Sequence, residues 1–245
     1  MSQKKTKTPA VLAAGDGVKA GNANWTFSGE VAENFETHAE KSIPLYREGH
    51  DLVVRLSDYF VKDDSICYEL GSSCGTLSAK LASHHHFRKA RFLGIEKEKK
   101  MVEFAKKKYR QDNLIFLHDD VTAIEFEKSD LIVSYYLIQF IRPSQRQQLF
   151  DKIYQSLNWG GAFLLFEKVR ACDARFQDIM TGLYTDYKIE QGYSSEEIVN
   201  KTRSLKGVLE PFSSQGNIDL LKRAGFVDVI SVMKYVCFEG FLAIK

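Results

Sequence analysis

Apolar and polar positions follow two alternating patterns over most of residues 65–245. Short, nearly continuous apolar runs predict strands buried on both faces, and they read SICYEL, ARFLGIE, NLIFLHDD, DLIVSYYL and GGAFLLFEKV. The segments between them each carry one apolar stripe at helical spacing, and they read TLSAKLAS, KEKKMVEFAKKKYR and PSQRQQLFDKIYQSL. Strands that alternate with helices indicate a mostly parallel sheet, and right-handed crossovers make that sheet doubly wound.

The two ends of the chain depart from this alternation. Residues 1–24 are rich in Lys, Gly, Ala and Asn without a period, which predicts a flexible tail. Residues 25–60 show helical spacing that Pro44 divides into two helices, forming a helical cap. A polar helical insertion at residues 173–206 precedes a short helix and two strands joined by a tight turn. We therefore expect one α/β domain over residues 25–245, with a seven-stranded sheet whose C-terminal hairpin is antiparallel.

Composition and charge narrow the classes of function. The chain has 245 residues with 34 basic and 32 acidic side chains, and its net charge of +2 argues against a general nucleic-acid grip. No apolar run reaches the ~18 residues of a membrane span, and the N-terminus lacks a signal-peptide core. The four cysteines are scattered without a CxxC pair, which favours reduced thiols. We expect a cytoplasmic protein that contacts neither membranes nor nucleic acid directly.

The segment YELGSSCG carries the first candidate chemistry. Gly71 and Gly75 follow a predicted strand and precede a helix, in a GxxxG spacing rather than the GxGxxG of dinucleotide-binding loops. Glu69 stands two positions before the first glycine, where a carboxylate repels phosphate and attracts a cation. The pattern favours a cationic nucleoside without phosphate, and a plain turn is the alternative for the glycine pair alone. Cys74 lies in the same loop without a paired base, so we expect no nucleophilic role for it.

Acidic residues end the next two predicted strands. Glu96 closes ARFLGIE, where an acid can accept both hydroxyls of a ribose. Asp119 and Asp120 close NLIFLHDD, where a carboxylate can accept from an adenine amine while Val121 offers an amide and an apolar contact. An exposed strand-end acid is the alternative for Glu96 taken alone. Because the carboxyl ends of adjacent parallel strands meet at one edge, their joint occurrence predicts a nucleoside site.

With these motifs, residues 65–168 resemble the class I S-adenosylmethionine-dependent methyltransferases. The resemblance implies the strand order 3-2-1-4-5-7-6 and S-adenosylmethionine in the crevice, with Glu69 and Gly71 near its methionine portion. Methyl transfer demands little beyond alignment of the acceptor and exclusion of water, so the motifs leave the acceptor open. The expected cofactor contacts are Tyr46, Glu69, Gly71, Ser72, Gly75, Glu96, Lys97, Asp119, Asp120, Val121 and Tyr135.

A narrower resemblance covers most of residues 25–245. The segments FSGEVAENFETHAEKSIPLY, LIQFIRP, LFDKIYQSLNWGG, EKVR and GYSSEEIVNKTRSLKGVLEP are similar to the carboxy-S-adenosyl-L-methionine synthases. The stretch around YSSEEI is the most specific part, because generic methyltransferases lack it. The resemblance implies a homodimer that combines S-adenosylmethionine with prephenate, for use in modifying tRNA wobble uridines, and it places Tyr46 at a cofactor contact.

The sequence departs from that family where a carboxylate would bind. Thr202 occupies the position of the arginine that the family pairs with the transferred carboxylate, which removes a bidentate partner. Arg203 stands one helical step away, a rotation of about 100°, and Lys201 offers a point charge. Tyr135 replaces a cofactor-facing asparagine of the family, and Glu96-Lys97 replaces its acid pair.

These departures favour an S-adenosylmethionine-dependent methyltransferase that acts on an unidentified acceptor, with Tyr135, Lys201 and Arg203 as candidate catalytic residues. The alternative is the synthase activity itself, with Lys201 or Arg203 binding the carboxylate. A third hypothesis is a non-catalytic module that binds the nucleoside and partners another protein. The intact glycine loop, Glu96 and Asp120 argue against that third hypothesis.

Several aromatic and histidine residues have structural alternatives to a functional role. Tyr136 and Gln139 follow the fourth strand, where acceptor-facing residues of this fold lie, and core packing and an amide cap are the alternatives. An acceptor wall and plain packing are the two interpretations of three tyrosines in the insertion, Tyr184, Tyr187 and Tyr193. The consecutive histidines at 84–86 share no face, so we expect a solvated loop there and no metal site.

Overall fold

The computed structural model describes residues 12–15, 19–20, 23 and 31–245, and its centre is a seven-stranded sheet. The strands are β1 Ile66–Leu70, β2 Arg91–Glu96, β3 Leu114–His118, β4 Ser129–Tyr135, β5 Leu157–Lys168, β6 Asp228–Tyr235 and β7 Phe238–Ile244. Their order across the sheet is β3-β2-β1-β4-β5-β7-β6. Strands β1 to β5 pair in parallel, while β7 pairs antiparallel with β5 and β6. The predicted doubly wound topology with an antiparallel C-terminal hairpin is confirmed.

Helices cover both faces of this sheet. They are α1 Val31–Ser42, α2 Tyr46–Ser57, α3 Thr76–His84, α4 Lys99–Lys108, α5 Pro143–Ser156, α6 Ala174–Glu190, α7 Ser195–Ser204 and α8 Ser214–Ala224. Pro44 lies in the break between α1 and α2, and Pro143 opens α5, where its missing N–H costs no helical hydrogen bond. Within the described ranges, every helix falls short of the length and apolar character that crossing a membrane demands.

The core consists of two apolar clusters on opposite faces of the sheet. Alternate residues of one strand enter different clusters, since Ile132 of β4 packs with α5 and α8 while Leu131 and Val133 pack with α2 and α3. The two central strands are buried on both faces, which is why their sequences are almost continuously apolar. The polar carboxyl ends of the strands therefore meet at one edge of a rigid layer.

Parts of the N-terminal segment lie against the insertion. Leu12–Ala13 pairs antiparallel with Lys19–Ala20, and Ala14 is fully buried. The side-chain amide of Asn200 in α7 donates to the backbone oxygen of Ala13 at 3.1 Å. Apart from Gly15 and Ala23, the rest of the tail predicted for residues 1–24 lies outside the described residues, as does the start of the predicted cap at residues 25–30. The helices of the predicted insertion are α6 and α7.

Candidate active site

A cavity of about 990 Å³ opens at the carboxyl ends of the parallel strands. The ends of β1, β2, β4 and β5 and the loop after β3 form its floor, and α1, α6 and α7 cover it. Open α/β sheets bind ligands at this edge, where the strand order reverses beside the first strand. The cavity therefore brings together the predicted nucleoside motifs and the helical insertion.

The glycine loop between β1 and α3 has the conformation that its glycines allow. Gly71 and Gly75 have φ of 71° and 82°, in the left-handed region. A side chain at Gly75 would place its Cβ 2.5 Å from Cζ of Phe116, so only glycine fits there. The N–H groups of Gly71 and Ser72 both donate to the backbone oxygen of Ile95, at 2.8 and 2.9 Å. These contacts tie the loop to β2 and hold its backbone at the cavity wall.

Glu69 lies at the end of β1 and lines the cavity with a buried carboxyl group, 5% exposed. The Ser78 hydroxyl donates a hydrogen bond to it. Burial raises the pKa of Glu69 from 4.5 to about 8, and the nearby Glu96 carboxylate adds to the rise. A cationic ligand in the cavity would offset that cost and favour the ionised form.

Glu96, at the end of β2, is oriented by two backbone groups. The N–H of Ser73 donates to Oε2 at 2.9 Å, and the N–H of Glu98 donates to Oε1 at 2.8 Å. Burial raises the pKa of Glu96 despite these bonds. The nearby Ser72 hydroxyl is buried and has no hydrogen-bond partner among the described residues. A ribose or amino-acid group of a nucleoside ligand would supply that missing partner.

The residues after β3 form a smaller polar group beside Glu96. Asp120 accepts from Lys97 Nζ at 2.7 Å and from both the N–H and the hydroxyl of Thr122, at 2.9 and 2.7 Å. Burial acts to raise the pKa of Asp120, yet Lys97 and Thr122 outweigh it and lower that pKa to about 2. Asp119 accepts from the N–H of Asp120 at 2.7 Å, while Val121 is buried. The three predicted contacts of this segment line the cavity, and so does Lys97.

Tyr135 and Tyr46 meet on the α2 side of the cavity. The Tyr135 hydroxyl donates to the backbone oxygen of Tyr46 at 2.7 Å, and the two rings lie 5.4 Å apart at a steep angle. Gly49 of α2 has no side chain where that hydroxyl lies, so a Cβ there would collide with it. Burial raises the pKa of Tyr135 far above its usual range. Tyr135 is therefore a neutral, fixed wall of the site, and its catalytic role stays a prediction.

Lys201 connects α7 to α1 through a buried polar cluster. Its Nζ donates to Ser42 Oγ at 2.7 Å and lies 2.7 Å from His38 Nε2. The Tyr193 hydroxyl lies 3.1 Å from Ser42 Oγ and 3.3 Å from His38 Nδ1. Because an ammonium group only donates, His38 Nε2 accepts, which assigns its hydrogen to Nδ1. Through these contacts, α1 fixes the position of Lys201 at the cavity wall.

The comparisons with known proteins agree with this geometry. Residues 68–161 match the family model described as a methyltransferase domain. The carboxy-S-adenosyl-L-methionine synthase of Staphylococcus epidermidis is 36% identical over 90% of this chain and 97% of that protein. The synthase of Campylobacter lari is 35% identical over 89% of this chain and 94% of that protein. The chain belongs to the carboxy-S-adenosyl-L-methionine synthase family.

Solved structures with low sequence identity share the fold of this synthase family member. A putative S-adenosyl-L-methionine-dependent methyltransferase from Methanococcus maripaludis aligns with a TM-score of 0.60 at 18% identity, covering 91% of this chain and 95% of that chain. Human N-acetylserotonin methyltransferase aligns with a TM-score of 0.61 at 18% identity, covering 89% and 56%. The methyltransferase-domain match and the synthase relatives confirm the predicted enzyme class and cofactor. This protein is an S-adenosylmethionine-dependent transferase. The hypothesis of a non-catalytic module is thereby disfavoured.

The structure locates the three residues of α7 that the resemblance singles out, which are Lys201, Thr202 and Arg203. Thr202 lines the cavity, but its hydroxyl donates to the backbone oxygen of Ile198 at 2.7 Å. Lys201 also lines the cavity, whereas Arg203 is exposed and lies outside its lining. Each residue of an α-helix is rotated by about 100° from the one before it. Two such steps put Lys201 and Arg203 on opposite sides of α7, so Lys201 lines the cavity and Arg203 does not.

Sequence reasoning missed several residues of this family member's site. His38 and Ser42 of α1 hold Lys201 across more than 150 residues of chain. Lys168 and Lys188 line the cavity at its insertion end. The EKVR segment placed Lys168 at the end of β5, so its strand-end position was available as a signal. Nothing local marks the other three, because only the packing of α1 and α6 over the sheet brings them in.

The three consecutive histidines are more structured than a solvated loop. His84 ends α3 and lies 2.8 Å from Asp58 Oδ1, while His85 is fully buried and lies 2.7 Å from Ser57 Oγ. Burial lowers the pKa of His85 to about 4. Ligand atoms of Asp58, His84 and His85 lie within 4.8 Å of one another, a spacing that could hold a cation. The prediction of a solvated loop is wrong for His85, because α2 packs against it.

Proposed function

We propose that this enzyme makes carboxy-S-adenosyl-L-methionine from S-adenosylmethionine and a second substrate that carries a carboxylate. The observation that carries the proposal is the Lys201 ammonium, which α1 holds at the cavity wall next to Thr202. A lysine can bind a carboxylate as a point charge where the bidentate arginine of the family is missing. Near-complete coverage of relatives with that activity in their names supports the same conclusion.

The charge distribution in the cavity supports a pair of oppositely charged substrates. The carboxyl groups of Glu69, Glu96 and Asp120 lie at the glycine-loop end. Among the described residues, the insertion end is lined by one acid, Glu210, and by five cations, which are Lys168, Arg170, Lys188, Lys201 and Lys206. When bound, S-adenosylmethionine supplies an activated sulfonium methyl. The chain's own residues would hold the cation at one end and an anion at the other, with water excluded between them.

A second candidate is methyl transfer to an acceptor of another kind. The observation in its favour is Thr202, whose hydroxyl is bonded to its own helix and offers a carboxylate no charge. Such an enzyme would keep the cofactor half of the cavity and use the insertion end for its acceptor. It would release S-adenosylhomocysteine, whereas the first reaction keeps the methyl carbon bonded to the sulfur and releases none.

Mass spectrometry separates the two candidates. The full chain is incubated with S-adenosylmethionine and prephenate, the second substrate that the family resemblance implies. We expect a product heavier than S-adenosylmethionine by the elements of CO₂. Lys201→Met should lower its rate of formation about tenfold or more, because a buried charge partner is lost. Arg175→Met on the exposed face of α6 is the control and should leave the rate unchanged. Accumulation of S-adenosylhomocysteine without the heavier product would establish the second candidate instead.

We also propose that the enzyme is a cytoplasmic homodimer. All four cysteines are free thiols, which suits a reducing compartment. Apolar side chains of α6 are exposed at helical spacing, with Phe176 at 50% and Ile179 and Leu183 at 52%. A self-complementary contact would bury such a stripe. Sedimentation equilibrium should give twice the chain mass of 28.0 kDa, and a monomer at micromolar concentration would contradict the proposal.

A further inference from the structure

Two lysine ammonium groups lie against the same aromatic ring at the insertion end of the cavity. Lys168, the last residue of β5, places its Nζ 4.1 Å from the centroid of the Tyr184 ring. Lys188 of α6 places its Nζ 4.6 Å from the same centroid. Both lysines line the cavity, and Lys188 is only 6% exposed. A ring face attracts a cation but does not neutralise it.

The charges around these two lysines are unbalanced. Among the described residues, no carboxylate forms an ion pair with Lys168 or Lys188. Burial lowers the pKa of both lysines. The charge of Lys168 adds to the effect on Lys188, whose pKa falls to about 8. Arg170 and Lys206 act on Lys168 as two further cations, and the Cys237 thiol is neutral at pH 7 because burial raises its pKa. Buried ammonium groups without a counter-ion are costly, so the arrangement calls for an anion.

A phenol without a partner belongs to the same aromatic cluster as the ring that the two lysines contact. The Tyr136 hydroxyl is buried and has no hydrogen-bond partner among the described residues, although the side chain lines the cavity and is 6% exposed. The Tyr136 and Tyr184 rings lie 5.7 and 5.3 Å from the Phe238 ring, which Lys168 also approaches at 5.7 Å. Tyr136 has φ of +61°, a strained conformation that such residues adopt mainly at functional sites. The phenol is thus a second, independent sign of a missing ligand.

We propose that Lys168, Lys188 and Tyr136 bind the carboxylates of a ring-bearing organic dianion. This inference rests on the proposed function, because the dianion is the carboxylate-bearing second substrate. Two ammonium groups match two negative charges, and the Tyr136 hydroxyl donates to one carboxylate oxygen. Phe238, which also lines the cavity, gives an apolar contact for the ring. Lys201 lies at the α7 side of the same cavity, so the dianion is oriented from two walls.

Calorimetric titration with three simple probes tests the site. The full chain, saturated with S-adenosylhomocysteine at pH 7, is titrated with isophthalate, benzoate and benzamide, which share a ring and carry two, one and no charges. We expect the affinity to fall along this series, by about tenfold or more from isophthalate to benzamide. Lys168→Met and Lys188→Met should each weaken isophthalate binding about tenfold, while Tyr136→Phe has a smaller effect. Arg175→Met should change nothing.

Three results would decide against the site. Equal affinities for the three probes would overturn it without any variant, and so would isophthalate binding that neither lysine variant weakens. Equal losses in Arg175→Met would show a general charge effect only. Each variant should bind S-adenosylmethionine with an affinity within about twofold of that of the unmodified chain, which shows that the variant is folded. Charge-dependent isophthalate binding without carboxylated product would overturn the proposed reaction and keep the anion site. Carboxylated product without charge-dependent binding would overturn the anion site and keep the proposed reaction.

Discussion

Glu69 lies in an environment far from the one that a carboxyl group prefers. A buried carboxyl with one hydroxyl donor and no described cation holds its proton up to a pKa of about 8. S-adenosylmethionine brings a sulfonium and an ammonium group, and both favour the ionised carboxylate. Proton release and cofactor binding are therefore linked at this one side chain.

We predict that S-adenosylmethionine binds more tightly as the pH rises through 8. Below pH 8 the Glu69 proton must be lost on binding, so the affinity should climb up to about tenfold per pH unit and then level off. Glu69→Gln should remove this rise and bind more weakly at pH 8.5. The ligand's amino group titrates in the same range with both proteins, so the difference between their calorimetric pH profiles reports Glu69 alone. Parallel profiles would contradict the prediction.

The same residue has the opposite effect on the free protein. The pKa of Glu69 is about 8 when folded against 4.5 as its ordinary value, so the folded state binds more protons between these pH values. The free energy of unfolding should therefore fall as the pH rises from about 4.5 to 8. Glu69→Gln should be more stable than the unmodified chain at pH 8.5 without cofactor, because no charge is then buried.

Among the elements, α7 shows how local sequence places a functional side chain. Ser194 Oγ accepts from the N–H of Glu197 at 3.2 Å, and Glu197 Oε2 accepts from the N–H of Ser194 at 2.9 Å. This reciprocal pair is a capping box, and it sets where the helix begins. The start of the helix in turn sets its rotation, which decides that Lys201 and not Arg203 reaches the cavity.

We predict that Ser194→Ala destabilises α7 by about 1 kcal/mol, because a helix N–H loses its acceptor. Denaturant unfolding should show the loss, and the rate of product formation should fall with it as Lys201 loses its fixed position. Ser195→Ala is the matched control. It removes the neighbouring hydroxyl, which is exposed and has no hydrogen bond among the described residues. Equal losses in the two variants would exclude the cap as the cause.

At the scale of the whole molecule, tyrosines of the insertion tie it to α1 above the cavity. The hydroxyl of Tyr184 donates to the backbone oxygen of Ser42 at 2.8 Å, and Tyr187 donates to that of Glu40 at 3.4 Å. Tyr193 joins the buried cluster of His38 and Ser42. A substrate in the cavity therefore lies beneath a roof whose two halves come from distant parts of the chain.

We predict that Tyr193→Phe loosens this roof without loosening the sheet. Removing the hydroxyl takes one hydrogen bond each from Ser42 and His38, which should lower the free energy of unfolding by about 1 kcal/mol. Amide hydrogen exchange should accelerate in α1 and α7 and stay unchanged in β4 and β5. Tyr235→Phe on the half-exposed edge strand is the control, with no expected change. Uniform acceleration across the sheet would show that the roof and the sheet open together.

The sequence by itself determined the sheet and the glycine-loop end of the cavity. Apolar runs alternate with amphipathic segments, and the handedness of crossovers leaves few topologies for such a pattern. Gly71 and Gly75, Glu96 and Asp120 follow strands directly, so their place at one edge follows from the strand order. The strand order and these strand-end positions depend on residues close in sequence, which is why both could be predicted. The contacts of these residues with the cofactor stay predictions.

Only the tertiary structure decided what forms the insertion end of the cavity. His38 and Lys201 are 163 residues apart, and Lys168 meets Lys188 on a ring that α6 supplies. The burial of His85 likewise depends on α2 packing over α3. Such contacts depend on helix rotation and packing between distant segments, and no local pattern encodes them. The insertion end of the cavity exists because the insertion folds back over α1, and that return is set by packing.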